Sequence, residues 1–285
     1  MNLVEPRVEL IAETAMDNEA VYRYLEDIGA EEYELHHDTT DAEELIMLAG
    51  KACYKSFIPK LNPNVSKVRD KPSEYLANIN ATGHGSVTEH ASFTFMFWNV
   101  SRVFTHELVR HRVGTAMSQE SLRFVRLTDL NMWLPSCIRD NPTAMAIFKN
   151  TVVYLEQVQK DLARLYNIEG MKNFSKKKVL TSAFRRIAPI GLATAIMFTT
   201  NVRTARHLIQ MRTSRHAEEE IRLVFDQVAK LLVNKHKQMF ADFKCEEYEG
   251  IGEWTCENAA TPYDIEKIKK LRTQLMSGMQ PHIDA

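Results

Sequence analysis

Thiols are scarce in this sequence. Its four cysteines, Cys53, Cys137, Cys245 and Cys256, form no CxxC pair and suggest no secreted disulfide framework. His111 and Cys137 show no metal-ligand spacing, so no metal site is expected. No apolar run could span a bilayer, because the longest low-charge stretch, Ile187 to Asn201, is too short and is polar at its end. Met1 to Pro6 has neither the basic nor the apolar region of a signal peptide. An excess of charge is also missing. At a formal net charge of −1, anion binding must come from local clusters of cations, and a dedicated nucleic-acid binder would more often be basic overall. GxxxxGK[ST], GxGxxG and GxSxG do not occur, which removes the P-loop, the usual Rossmann fingerprint and the hydrolase nucleophile elbow. The expectation left standing is a cytoplasmic enzyme with no membrane and no nucleic-acid partner.

With 45% hydrophobic and 26% charged residues, the chain has the composition of a soluble globular protein. At 285 residues it can bury a sizeable core as one large domain or two small ones. Arg7 to Glu13 alternates weakly, as a first strand would. Thr40-Asp41-Ala42-Glu43 has capping-box form and opens a helix through Cys53, and a short helix is expected around Ser73 to Asn80. Phe93, Phe95 and Phe97 alternate with Ser92, Thr94 and Met96, which predicts a strand over Ala91 to Trp98. Ser101 to Arg112 reads as a helix ended by Gly114 at its C′ position. A long amphipathic helix should run from Asn141-Pro142 to about Tyr166, and Gly191 to Thr200 is strand-like. Asn201 to Phe243 contains no Gly or Pro and predicts one long helix or two abutting ones, with Glu218-Glu219-Glu220 on an exposed face. Gly250 to Pro262 reads as a linker, and Thr261-Pro262 as the cap of a last helix to about Met276. Strands and helices interleave without a regular βαβ rhythm, so the fold class is α+β rather than a doubly wound sheet.

Three constellations could carry chemistry. Gly83-His84-Gly85-Ser86-Val87-Thr88-Glu89-His90 could set a helix N-terminus before an anion, or be a capped loop and nothing more. Arg110-His111-Arg112, followed by Ser118-Gln119-Glu120-Ser121-Leu122-Arg123-Phe124, collects cations suited to bidentate phosphate or carboxylate binding. The alternative is an ordinary basic helix end, which suits the macrodipole. In the third, Arg185-Arg186 precedes a segment where Arg203 and His207 share a helix face at i,i+4, with Met211 on the same row and Arg212 beside it.

Together these pieces resemble the flavin-dependent thymidylate synthases, in the right order across about residues 80–222. The matching elements are Gly83 to His90 as GHxSxxEH, the RHR triplet, Ser118 to Phe124 as SQxSxR(Y/F), Arg186-Ile187, Asn201 to His207 as NxRxxxH, and Arg212 followed by His216-Ala217. The resemblance implies a central antiparallel sheet flanked by helices, with long helices in the C-terminal half. Residues 1–243 would form a single catalytic domain, and 244–285 an extension with a terminal helix. It further implies a homotetramer with shared active sites, FAD as cofactor, and NADPH and methylenetetrahydrofolate as co-substrates. The product would be a pyrimidine nucleotide monophosphate methylated at C5, foremost dUMP to dTMP. Carried over by position, Ser86, Arg110, His111, Arg112, Gln119, Asn201, Arg203 and His207 would contact FAD. Glu107, Arg110, Glu120, Ser121, Leu122, Arg123, Arg186 and Arg212 would meet the nucleotide. Arg212 would act on the pyrimidine and His84 would lie near flavin and folate. Ser121 has no evident adjacent base and reads as a ligand rather than a nucleophile.

Some positions depart from that pattern. Val113 to Glu120 makes the spacer before Ser121 one residue longer than the family's usual one, and Glu107 and Glu218 stand where glutamines are expected. An ionised carboxylate only accepts hydrogen bonds, whereas an amide also donates. Beside a base, it could accept from the amine of cytosine. Methylation or hydroxymethylation of UMP or dCMP therefore stays open, as does, in another class, a non-catalytic nucleotide- or RNA-binding protein.

Overall fold

A computed structural model describes residues 1–65, 67–123 and 128–256. Phe124 and the helix expected after Thr261-Pro262 lie outside them. The strands are β1 Asn2–Leu3, β2 Arg7–Glu13, β3 Ser92–Ser101, β4 Thr115–Gln119, β5 Asn131–Met132, β6 Ala193–Asn201, β7 Phe243–Tyr248 and β8 Ile251–Cys256. The helices are α1 Asn18–Asp27, α2 Asp41–Tyr54, α3 Pro72–Thr82, α4 Arg102–Leu108, α5 Ser136–Arg139, α6 Pro142–Leu165, α7 Phe174–Phe184, α8 Val202–Thr213 and α9 Glu219–Lys235. No described helix is long and apolar enough to cross a membrane.

The centre is an antiparallel sheet in the order β2-β3-β6-β4. Its register sets Phe93, Phe95 and Phe97 opposite Thr200, Phe198 and Ile196. Because alternate side chains point to opposite faces, the three phenylalanines share one face. There they form a single buried core with Phe198, Leu208 and Ile209 of α8, and Val224 and Phe225 of α9. The opposite face, carrying Thr94, Met96, Trp98 and Thr199, is only half-buried, and Met197 on it is exposed. The α+β class and the flanking helices are as the sequence predicts.

The capping box at Thr40 and Glu43 forms and starts α2, and Asn141 caps α6 through its side-chain oxygen. Lys51 of α2 is fully buried between the rings of Tyr33 and Tyr75, its Nζ 5.0 and 5.1 Å from their centroids. It donates to the carbonyls of Ser56 at 3.4 Å and Arg69 at 3.0 Å, and burial lowers its pKa.

Four expectations are corrected. The helix expected through Arg112 ends at Leu108, because the hydrogen bonds beyond it tighten to an i→i+3 pattern, from Arg110 N–H to Glu107 and from His111 N–H to Leu108. Gly114 is therefore no helix C′ residue but the left-handed corner, φ +67°, that turns the chain into β4. Of the one long or two abutting helices expected from Asn201 to Phe243, two form, but the second stops at Lys235; they part at Ser214–Glu218, where Ser214 closes a turn with Ala217 N–H and Glu218 caps α9 by accepting from the amides of Glu220 and Ile221. The exposed glutamate face is absent too. Glu220 is buried on the amide and hydroxyl of Ser101, and Glu219 accepts from the amide and hydroxyl of Ser136. Finally, the linker expected from Gly250 is strand as far as Cys256. There β8 pairs with β7, and Trp254 enters the main core.

Candidate active site

The turn after α4 is built against the start of α8. Asn201 caps α8 by accepting from Thr204 N–H at 2.9 Å, and its own amide donates to the Gly114 carbonyl at 3.1 Å. Thr204 Oγ1 donates to the Val113 carbonyl at 3.0 Å and Thr115 Oγ1 to that of His111 at 2.7 Å. These bonds lay Arg110-His111-Arg112 along α8. Further along α8, Arg212 donates through Nε (2.9 Å) and Nη2 (2.7 Å) to His111 Nε2, and through Nη1 to Glu107 at 3.2 Å.

Protonated, His111 could not accept those bonds. Burial, followed by the charge of Arg212 and the proximity of His207 and Arg110, lowers its pKa to about 4. The imidazole is thus neutral, and a bare Nε2 puts its proton on Nδ1. Since the folded value lies below the ordinary 6.5, the unfolded chain binds a proton in that interval which the folded chain rejects. The group's contribution to stability is complete above pH 6.5 and is lost as pH falls through 4. Nitrogen-15 NMR should therefore show an Nδ1–H imidazole that charges only near pH 4, and an imidazole charging near 6.5 would contradict the arrangement.

Beside this pair opens a cleft of about 540 Å³ lined by Glu107, Arg110, Arg212, His216, Ala217 and Glu218. Burial pushes the Glu218 carboxyl up against the opposing pull of the capped amides, and the Glu107 charge adds to the rise. Burial likewise raises Glu220 to about 7, with the Ser101 hydrogen bonds pulling the other way. A separate cavity of about 350 Å³ between α6 and α7 is lined by Gln159, Arg164, Thr181 and Phe184, and Thr181 joins it to the predicted site residue Arg123.

The structure lays most predicted residues along α8 and the turn packed against it. Arg203 and His207 follow Asn201 on the exposed side of α8, and Arg203 pairs with Glu89 at 2.5 Å. Glu89 belongs to a single 3-10 turn, Val87–Glu89, so of the two readings the loop holds and the helix N-terminus does not, and Ser86 makes no cap bond. The Thr88 hydroxyl back-bonds to the Gly85 carbonyl instead, at 2.7 Å. A methyl group on Gly85 would come within 2.9 Å of Arg203 Nε. His84 is exposed, its ring 6.0 Å from that of Tyr54. Arg110, Arg112 and His207 have no side-chain hydrogen-bond or ion-pair partner among the described residues.

The remaining residues collect at the far end of β4. Gln119 donates to Thr105 Oγ1 at 3.1 Å, and Glu120, Ser121, Leu122 and Arg123 follow it. Thr181 of α7 donates to the Arg123 carbonyl at 3.1 Å, and Arg186 sits in the 3-10 turn Arg185–Ile187. Thr115 and Gln119 stand about 13 Å apart along the strand. Sequence reading missed Arg102, which donates to the Glu120 carbonyl at 2.9 Å. Burial lowers its pKa, Glu120 opposes and Arg185 adds to the lowering. Arg102 belongs to none of the motifs, so the sequence carried no signal for it.

A family model described as thymidylate synthase complementing protein matches residues 34–236. The flavin-dependent thymidylate synthase of Mycobacteroides abscessus is 33% identical over 246 residues, which cover 85% of this chain and 91% of that protein. The chain belongs to the flavin-dependent thymidylate synthase family. A second relative of that name, from Mycolicibacterium vanbaalenii, is 36% identical over 214 residues, 72% of this chain and 82% of its own. The fold is similar to that of thymidylate synthase X from Helicobacter pylori, solved with FAD and dUMP. The TM-score is 0.54 at 19% identity, over 83% of this chain and 98% of that one. All the residues gathered at both ends of β4 fall inside the thymidylate synthase match, whereas the β7–β8 hairpin begins after it ends.

Proposed function

We propose that this enzyme transfers a one-carbon unit from methylenetetrahydrofolate to C5 of dUMP, forming dTMP, with FAD bound and NADPH as reductant. The observation that carries the reading is the Arg212 guanidinium, held by a neutral imidazole at the wall of a polar cleft. The donor set fits FAD. Arg110 and Arg112 are cations without partners among the described residues, suited to a diphosphate, His207 is a further donor beside them, and Gly85 leaves close backbone approach beside Arg203. Ser86, His111, Gln119 and Asn201 complete the proposed cofactor set, although Asn201 already caps α8 and Gln119 lies at the other end of β4. Bound there, FAD supplies hydride transfer.

The chain's own residues bind and polarise. Arg212 fixes a positive charge beside the pyrimidine, where it favours loss of the N3 proton and stabilises the anionic ring whose C5 is nucleophilic. Arg123 and Arg186, with Ser121, Leu122 and Glu120, would hold the nucleotide phosphate end, and Arg110 and Glu107 its base end. His84 would border the flavin and folate. Arg212 is the proposed catalytic residue, with His84 beside it.

A homotetramer with shared active sites fits the half-buried outer sheet face. We propose a single catalytic domain followed by an extension beyond residue 243. A cytoplasmic location fits Cys53, Cys137 and Cys245 as free thiols. The Glu107 carboxylate beside Arg212 gives specific reason to test a cytosine nucleotide as well.

The deciding experiment incubates purified protein with FAD, NADPH and methylenetetrahydrofolate and offers dUMP, UMP and dCMP in parallel, with products identified by mass. A yellow protein that forms dTMP is expected. Protein that takes up no FAD would overturn the reading, and a product from dCMP alone would move the substrate assignment.

A further inference from the structure

The β7–β8 hairpin lies outside the family match, yet it grips the corner between α8 and α9. Trp254 N–H donates to Thr213 Oγ1 at 2.9 Å, and its indole donates to Asp226 Oδ1 at 2.8 Å. Gln210 donates to the Cys256 carbonyl at 3.1 Å. Two residues past Thr213, the Glu253 carboxylate accepts from the Arg215 amide at 3.0 Å and from its guanidinium through Nε at 2.8 Å and through Nη2. The Glu253 side chain is 13% exposed but Arg215 is 45% exposed, so solvent screens the ion pair, and the hold on the turn comes from the added hydrogen bond to the Arg215 amide. The residues that follow at once, His216, Ala217 and Glu218, form a wall of the Arg212 cleft.

We infer that the β7–β8 hairpin is a positioning element of the active site, with Glu253 the positioning residue that holds the Ser214–Glu218 turn against the nucleotide cleft. The inference rests on the proposed function for what the cleft binds. Glu253 acts through Arg215 and touches no substrate. Holding Thr213 on one side and Arg215 on the other, the hairpin fixes the direction in which the chain leaves α8. That direction sets where Glu218 stands to cap α9 and where His216 faces the cleft.

The test uses the full-length FAD-loaded protein and the variants Glu253→Ala, Glu253→Gln and Glu247→Gln, the last an exposed control on β7. In Glu253→Ala, amide hydrogen exchange over residues 213–218 should rise about tenfold, as should KM for dUMP, at native flavin content. The kcat should stay within about twofold, because uniform binding is lost rather than transition-state contacts. Glu253→Gln, which can still accept from the Arg215 amide, should give a smaller rise, and the control should match wild type. Unchanged exchange over 213–218 would overturn the inference. So would faster exchange with KM no different from the control. Wild-type protein that turns over no dUMP would instead refute the functional reading, and the exchange comparison would still decide whether Glu253 holds the turn.

Discussion

Arg212→Ala is expected to lower turnover of dUMP by about 10²–10³-fold, with flavin content and thermal midpoint close to native. The reason is the manner in which the cation is held. Two of its donors rest on an imidazole that carries no charge, so that contact orients the guanidinium without neutralising it. Its one acidic contact among the described residues, Glu107, is partly exposed in the cleft wall. Alanine would remove the positive charge and leave Glu107 facing Glu218, two carboxylates whose repulsion already contributes to raising the latter's pKa. Lysine keeps the charge but cannot reach His111 and Glu107 with one planar fork, so Arg212→Lys should fall between alanine and wild type. Steady-state rates beside bound flavin per chain make the check, and an alanine variant with undiminished turnover would remove Arg212 from the chemistry.

Gly114→Ala should be the most damaging small substitution in the site. At φ +67° a Cβ costs about 1–2 kcal/mol. The methyl would also lie 2.5 Å from Asn201 Nδ2 and 2.6 Å from Thr204 Oγ1, both fixed by hydrogen bonds at the start of α8. Relieving that overlap costs about a further 1–3 kcal/mol and pushes the RHR turn away from α8. Denaturant midpoint and flavin content should drop together. A variant with a native midpoint and full flavin would show that the turn tolerates the shift.

Much of the frame is legible in the sequence because it is local. The Phe93-Phe95-Phe97 alternation, the Thr40 and Glu43 capping box and the Asn141-Pro142 helix start each follow from neighbours in the chain, and each forms as read. What escaped reading depends on distant partners. Glu220 looks like one of three solvated glutamates until Ser101 arrives from the end of β3. Ser86 has the spacing of a cap, but the Thr88 hydroxyl takes the Gly85 carbonyl and tightens the turn. Gly114 is punctuation in sequence terms, and only the approach of Asn201 makes its missing side chain necessary. The candidate site was recognisable from motif order, yet the meeting of Gln119 with Thr105 of α4 was not. Strand register, which no motif encodes, sets where the end of β4 reaches that helix.

Lys51 has a consequence of a different kind. Its Nζ holds the carbonyls at both ends of the stretch from Ser56 to Arg69, so one ammonium acts as a non-covalent cross-link across that part of the chain. A disulfide would close such a loop only in an oxidising compartment; a buried lysine closes it in any redox state. The cost of joining loop ends grows only slowly with length, so one such tie can serve a long insertion. It also bears on the site, because the stretch leaves α2 beside Tyr54, the ring that faces His84. A reagent that acylates exposed amines would leave this lysine untouched until the fold opened, which makes Lys51 a built-in reporter of that opening.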